Sequence, residues 1–151
     1  ATLVGQNLGA KQPERAETSV WKTSKYNAIF MVVVSLGYLL FAKEIISWLS
    51  DVEDVIEYGA LSLQVIASGY IFYAYGMVVT QAFNGAGDTK TPTIINFFCF
   101  WLFQIPLAYL VALQFEWGPV GVYGAITTSE ILIAVVSIIL FKKGKWKTTQ
   151  V

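Results

Sequence analysis

Histidine is missing from this 151-residue chain, and cysteine occurs once, at Cys99. Those gaps exclude a disulfide framework, a zinc site of imidazole and thiolate ligands, and any triad built on a histidine base. Charge is also scarce: Asp, Glu, Lys and Arg make up 13% of residues, against roughly 25% in soluble domains. The charges present cancel, ten basic against ten acidic. No basic excess remains to neutralise phosphates, so nucleic acid is excluded as a partner. No phosphate loop with Walker spacing and no metal-binding pair occurs either, so neither a cofactor nor enzyme chemistry is expected. What is abundant is apolar. Hydrophobic residues reach 56% and mean hydropathy is +0.59, which excludes a disordered chain. The composition is that of a protein in a bilayer.

A transmembrane helix needs about 20 mostly apolar residues. Four stretches meet or approach that length: 26–42, entered through an amphipathic lead-in from Pro13, then 58–83, 92–113 and 120–141. They are too long for strands and do not alternate, and lipid favours segments that satisfy their own backbone. With lead-ins, the spans are expected at about 13–42, 51–83, 92–113 and 120–141, followed by a tail at 142–151, all in one helical region. Ser50-Asp51-Val52-Glu53 has capping-box spacing, with Asp51, Glu53, Asp54 and Glu57 near the positive end of the helix dipole, so the second helix is expected to start near Asp51. Asn84, Gly85, Gly87 and Asp88 mark a turn, and Thr91-Pro92 suits an N-cap followed by proline at the first helical position. Pro106 lies inside the third span and is expected to kink it. The opening Ala1-Thr2-Leu3-Val4-Gly5 has no initiator Met, charged leader or signal pattern. The chain therefore reads as cut from a longer protein, with residues 1–10 closing a preceding helix.

Charge orients the spans. Lys11, Arg15, Lys22, Lys25, Lys90, Lys142, Lys143, Lys145 and Lys147 fall on one side of a four-span topology, leaving Lys43 on the other with Glu44, Asp51, Glu53, Asp54, Glu57 and Glu116. The positive-inside rule then places both termini in the cytoplasm of a multi-pass protein of the plasma (inner) membrane. Trp21, Trp48, Trp117 and Trp146 fall near the interfaces, as an aromatic belt requires.

The spans also carry polar stripes. Ser24, Asn27, Met31, Ser35 and Tyr38 recur at helical spacing, as do Ser62, Gly69, Tyr73, Gly76 and Thr80, and Tyr123, Thr127, Glu130, Ala134 and Ser137. Packing of helix on helix is the commoner role for such faces; lining a polar cavity is the alternative. Glu130 is the one acidic residue deep in a span. A central charge costs roughly 2.5–3.5 kcal/mol on insertion scales, so it should face protein or trapped water. It reads either as a proton or cation relay, or as a neutral carboxyl hydrogen-bonded to Gln104, Asn96 or Thr127. Gln64, Gln81, Asn96 and Gln104 are candidates for substrate contact or for interhelical bonding. Tyr70, Phe72, Tyr73 and Tyr75 form an aromatic cluster suited to a lipophilic cation or to plain packing.

Val4-Gly5-Gln6-Asn7-Leu8-Gly9-Ala10 with Pro13-Glu14-Arg15-Ala16-Glu17 resembles a segment of the multidrug and toxic compound extrusion (MATE) transporters, where one helix ends and the next begins. Gln81-Ala82-Phe83-Asn84-Gly85-Ala86-Gly87-Asp88-Thr89-Lys90-Thr91-Pro92 is similar to that family's connection between its tenth and eleventh helices. Phe100-Trp101-Leu102, Ile105-Pro106-Leu107-Ala108-Tyr109 and Ser129-Glu130-Ile131-Leu132 follow in order. The resemblance implies an all-α integral membrane protein whose four transmembrane helices belong to the C-terminal six-helix lobe of a twelve-helix transporter. The chain would hold the end of helix 8 through helix 12. It further implies alternating-access export of small drug-like, often cationic substrates, driven by a Na⁺ or H⁺ gradient and without a cofactor. The partners would be the lipid bilayer and the missing N-terminal helices of the same chain.

On that reading Tyr73, Gln64, Gln104 and Glu130 contact substrate, and Glu130 serves ion coupling. Asn84, Gly85, Gly87, Asp88, Pro92 and Pro106 shape turns and kinks. Some branches of the family use an acid in the tenth helix, where this chain has Tyr73, so coupling is expected to lie mostly in the missing lobe. Two other classes compete: a small four-helix proton-coupled exporter acting as a homodimer, and a structural membrane subunit that transports nothing.

Overall fold

The computed structural model describes residues 1–148; Thr149, Gln150 and Val151, the end of the expected tail, lie outside the described residues. Among the described residues every regular element is helical, as a chain surrounded by lipid requires. Helix α1 (Thr2–Gly9) turns into α2 (Pro13–Ser47) through an elbow in which Lys11 adopts φ 56°. There the Lys11 N–H donates to the Leu8 carbonyl at 2.8 Å and the Gln12 N–H to the Asn7 carbonyl at 2.8 Å, the paired bonds of a Schellman cap. Pro13 opens α2, where its missing N–H has no partner to lose. Helix α2 is 35 residues long, about 52 Å at 1.5 Å per residue. That exceeds the roughly 30 Å of hydrocarbon, so its charged first turns stand clear of lipid. It runs past residue 42 to Ser47 and absorbs the extra length at Phe41, where the backbone leaves helical geometry (φ −118°, ψ 23°).

The second span is two helices. Helix α3 (Glu53–Ser68) and α4 (Tyr70–Gly85) meet at Gly69 with a 57° bend. The start near Asp51 is corrected to Glu53, with Val52 as the cap residue. The capping box does not form. The Ser50 hydroxyl accepts instead from the Val52 N–H at 3.2 Å, a local turn that uses up the oxygen before the helix begins. Helix α4 ends in a second Schellman cap. Gly87 at φ 79° donates to the Asn84 carbonyl at 3.1 Å, and the Asp88 N–H donates to Phe83 at 3.0 Å. Gly87 tolerates that left-handed conformation at no steric cost.

Helix α5 spans Lys90–Gln114. Its cap is not Thr91: the helix begins at Lys90, and Asp88 accepts from both the Thr91 N–H (3.1 Å) and the Thr91 hydroxyl (2.6 Å). Pro92 is thus the third helical residue, still within the turn whose N–H groups lack partners. The kink expected at Pro106 takes another form. Wider π-helical stretches flank it, Phe97–Gln104 before and Leu110–Gln114 after. The wider turn relieves the clash between the proline ring and the carbonyl four residues back. Helix α6 (Gly118–Lys142) follows, then a single 3-10 turn, Lys145–Thr148.

Helices α2 and α6 pack on the broken α3–α4 pair from either side rather than on each other, while α5 leans on α6. The largest buried cluster sits at the lysine-rich end: Val4, Ala16, Val20, Val79, Ala82, Phe83, Ala86, Phe141 and Trp146. The surfaces of α2 and α5 that face away, including Val33, Leu40, Phe97 and Trp101, are apolar and exposed, a surface suited to lipid or neighbouring helices.

Candidate functional site

The break at Gly69 organises the centre of the molecule. A helix that stops inside the membrane leaves carbonyls without their usual donors, and hydroxyls from both neighbouring helices come to it. Ser35 of α2 donates to the Ala67 carbonyl at 2.7 Å, and Thr127 of α6 lies 3.1 Å from the Val65 carbonyl. The Ser68 hydroxyl also donates to Val65 at 2.6 Å. Glycine is needed at the break for closeness: a Cβ on Gly69 would lie 2.7 Å from the Thr127 methyl.

Beside this break opens a cavity of about 530 Å³ between α2, the α3–α4 joint and α6. Met31, Tyr38, Tyr70, Tyr73, Thr127 and Glu130 supply most of its chemistry. Tyr70 lies edge-on to Tyr38 with ring centroids 6.0 Å apart, and 6.3 Å from Tyr73. Three phenol rings therefore stand in one cavity with the half-buried carboxyl of Glu130. Such walls suit a flat apolar molecule, and a carboxylate among ring faces favours a cation. Among the described residues no three acidic or thiol side chains gather to hold a metal ion. A cation in the cavity would meet one carboxylate and neutral oxygens.

Toward the lysine-rich end the same helix faces close up. Asn27 donates to the Ala74 carbonyl at 3.2 Å, the hydroxyls of Thr80 and Ser137 lie 3.2 Å apart, and Gly76 meets the Ala134 backbone. Ser24, Ala74, Val79 and Ala134 are fully buried there. The stripes read from the sequence thus serve both roles: packing at one end, cavity lining at the other.

Of the four residues expected at substrate, the structure brings Tyr73 and Glu130 into the cavity and leaves two outside. Gln64 donates across to the Leu39 carbonyl at 3.2 Å, joining α3 to α2. Gln104 sits on α5, and its buried carbonyl oxygen lacks a hydrogen-bond partner. Tyr38, Tyr70, Met31 and Thr127 belong to the cavity and were visible only as members of stripes and of an aromatic run. Trp146, one of the four tryptophans expected near the interfaces, is buried within the protein, stacked on Phe141 at 4.6 Å, with its indole N–H donating to the Phe141 carbonyl at 2.9 Å. Trp48 and Trp117 are exposed.

The MatE family model matches residues 1–110. The chain belongs to this family. Within that match lie the α1–α2 elbow, the turn around Gly87 and both prolines of α5, Pro92 and Pro106, so the MatE resemblance carried by those residues is borne out. A probable multidrug resistance protein NorM of Thermotoga maritima is 25% identical over 146 residues, 97% of this chain and 32% of its own length. A second protein of that name, from Mannheimia succiniciproducens, is 29% identical over 88% of the chain and 30% of its own length. Protein DETOXIFICATION 14 of Arabidopsis thaliana is 25% identical over 97% of the chain. This MatE chain spans about a third of the length of these relatives.

Proposed function

We propose that this chain forms the C-terminal third of a secondary active multidrug exporter. It moves lipophilic, often cationic compounds outward in exchange for Na⁺ or H⁺ by alternating access, and is a transporter rather than an enzyme. The lysine-rich end faces the cytoplasm and the acidic end faces out, in the plasma (inner) membrane, as the charge asymmetry favours. Family membership and the relatives' names support drug export; the meeting of Glu130 with Tyr38, Tyr70 and Tyr73 in one cavity carries the reading to these residues. The rings receive the apolar body and cationic centre of the substrate. Glu130 holds the opposing charge and exchanges it between substrate and coupling ion, so that only one is held at a time. Gln64 takes a secondary part, tying α3 to α2 beside the cavity.

The test is Glu130→Gln in the protein expressed in a drug-sensitive host. Resistance to lipophilic cations falls while membrane abundance is unchanged. Equal resistance at equal abundance overturns the role given to Glu130 and returns it to helix packing.

A further inference from the structure

The turn Lys145–Thr148 does more than trail behind α6. Trp146 is 1% exposed and stacks on Phe141 within 9° of parallel. Phe141 is also met edge-on by Trp21 of α2 at 5.5 Å and by Phe83 of α4 at 6.0 Å. Next to this plug the Lys147 ammonium reaches back to α2 and contacts two carboxylates, Glu14 at 2.9 Å and Glu17 at 2.6 Å. Glu17 is held in turn, accepting from the Trp21 indole N–H at 3.4 Å. Lys147 and Glu17 are mostly shielded and Glu14 is open to solvent.

What this connects is informative. Helices α2 and α6 form two walls of the cavity but pack on the α3–α4 pair rather than on each other. At the lysine-rich end, Trp21 on Phe141 and the Lys147 ion pairs tie wall to wall. We infer that Lys145–Thr148 is a latch that fastens α2 to α6 below the cavity, keeping the small-residue seam shut so that the cavity opens only away from the lysine-rich end. The inference rests on the proposed reading of the cavity as the transport site, yet its test needs no transport.

The reporter is Ser137→Cys, a near-isosteric change at a fully buried seam position, with Cys99→Ala removing the natural thiol. A membrane-impermeant maleimide is applied separately to each face of membranes containing the protein. With the latch intact, labelling is slow from both faces. Lys147→Ala, and Glu14→Gln with Glu17→Gln, each raise the rate from the lysine-rich face alone by roughly three- to thirtyfold, the range expected of two partly screened ion pairs. Lys147→Glu combined with Glu14→Lys and Glu17→Lys restores slow labelling, which a variant that merely misfolds would not do. Unchanged labelling in both Lys147→Ala and Trp146→Ala overturns the latch, as does equal acceleration from both faces. Failure of the Glu130→Gln resistance test leaves these rates untouched, so the two ideas fall separately.

Discussion

Gly69→Ala probes the broken helix directly. The new Cβ would lie 2.7 Å from Thr127 Cγ2, 3.5 Å from the Ile66 carbonyl oxygen and 3.7 Å from Thr127 Cβ. Carbon atoms prefer about 3.5–4.0 Å, so only the methyl is too close, by roughly 1 Å. Thr127 cannot simply rotate away, because its hydroxyl is engaged with the Val65 and Tyr123 carbonyls. Overpacking of this kind costs about 1–3 kcal/mol, offset by at most about 1 kcal/mol from the better helix propensity of alanine. A net loss of about 1–2 kcal/mol is expected in detergent unfolding followed by tryptophan fluorescence. Thr127→Ser removes the offending methyl, keeps the hydroxyl, and leaves the new Cβ at an ordinary distance. Alone it costs about 0.8 kcal/mol for one lost methyl. The double variant should then be at least about 1 kcal/mol more stable than the sum of the single losses. Additivity within about 0.5 kcal/mol, or a Gly69→Ala protein more stable than its parent, refutes the close approach at the break.

Ser35→Ala removes a buried donor to the Ala67 carbonyl; a loss of about 0.6 kcal/mol, the mean for hydroxyl bonds between membrane helices, is expected in the same unfolding assay. Tyr73→Leu should weaken binding of a fluorescent quaternary ammonium probe by about 0.5–2 kcal/mol while Tyr73→Phe keeps it, since the ring face carries the cation–π attraction; equal binding by both would place the probe elsewhere. Lys147 has a pKa raised by its bond to Glu17 and then by its bond to Glu14. Its charged form is therefore favoured in the folded state, and its contribution is complete below the ordinary lysine range. As pH rises past that range and through the elevated value, the contribution is lost. Glu17 is in turn held below the usual carboxylate range, first by its bond to Lys147, so the same pair is lost in strong acid as Glu17 takes up a proton. Labelling of the Ser137→Cys reporter, divided at each pH by the rate of a fully exposed cysteine, should therefore stay slow around neutral pH and accelerate at both extremes; a normalised rate flat across the range would refute the part given to the ion pairs.

The sequence made the helices legible because lipid leaves the backbone one economical choice, and periodicity then sorted Ser24, Asn27, Tyr73, Thr127 and Glu130 onto inward faces. It could not show where a face changes from seam to cavity. That depends on side-chain size across three helices: Gly76 against Ala134 lets the backbones close, whereas Tyr38, Tyr70 and Met31 one or two turns along hold them apart. The break at Gly69 was hidden for a related reason. A glycine in an apolar run reads as a packing residue, and what answers the break is hydroxyls from Ser35 and Thr127, remote in sequence. Ser50 and Thr91 misled because a side-chain oxygen near a helix start has several backbone partners in reach. Only the folded chain shows that Ser50 takes Val52 and that the cap residue is Thr89, with Asp88 just before it accepting from Thr91.

The bonds of Ser50 and Asp88 stay local, but the polar groups inside the spans act between helices, and most of those links converge on α3–α4. Ser35, Asn27 and Gln64 join α2 and the broken pair, while Thr127 and Ser137 join it to α6. A central pair bonded to both walls, which touch each other at the lysine-rich end, can move relative to one wall beside the cavity only by exchanging a small number of single hydrogen bonds, each worth about 0.6 kcal/mol in a membrane. The heavier tie is at the lysine-rich end, where aromatic packing and two ion pairs act together. Motion is therefore cheapest beside the cavity and dearest at the latch, which is the mechanical order a one-sided cavity requires.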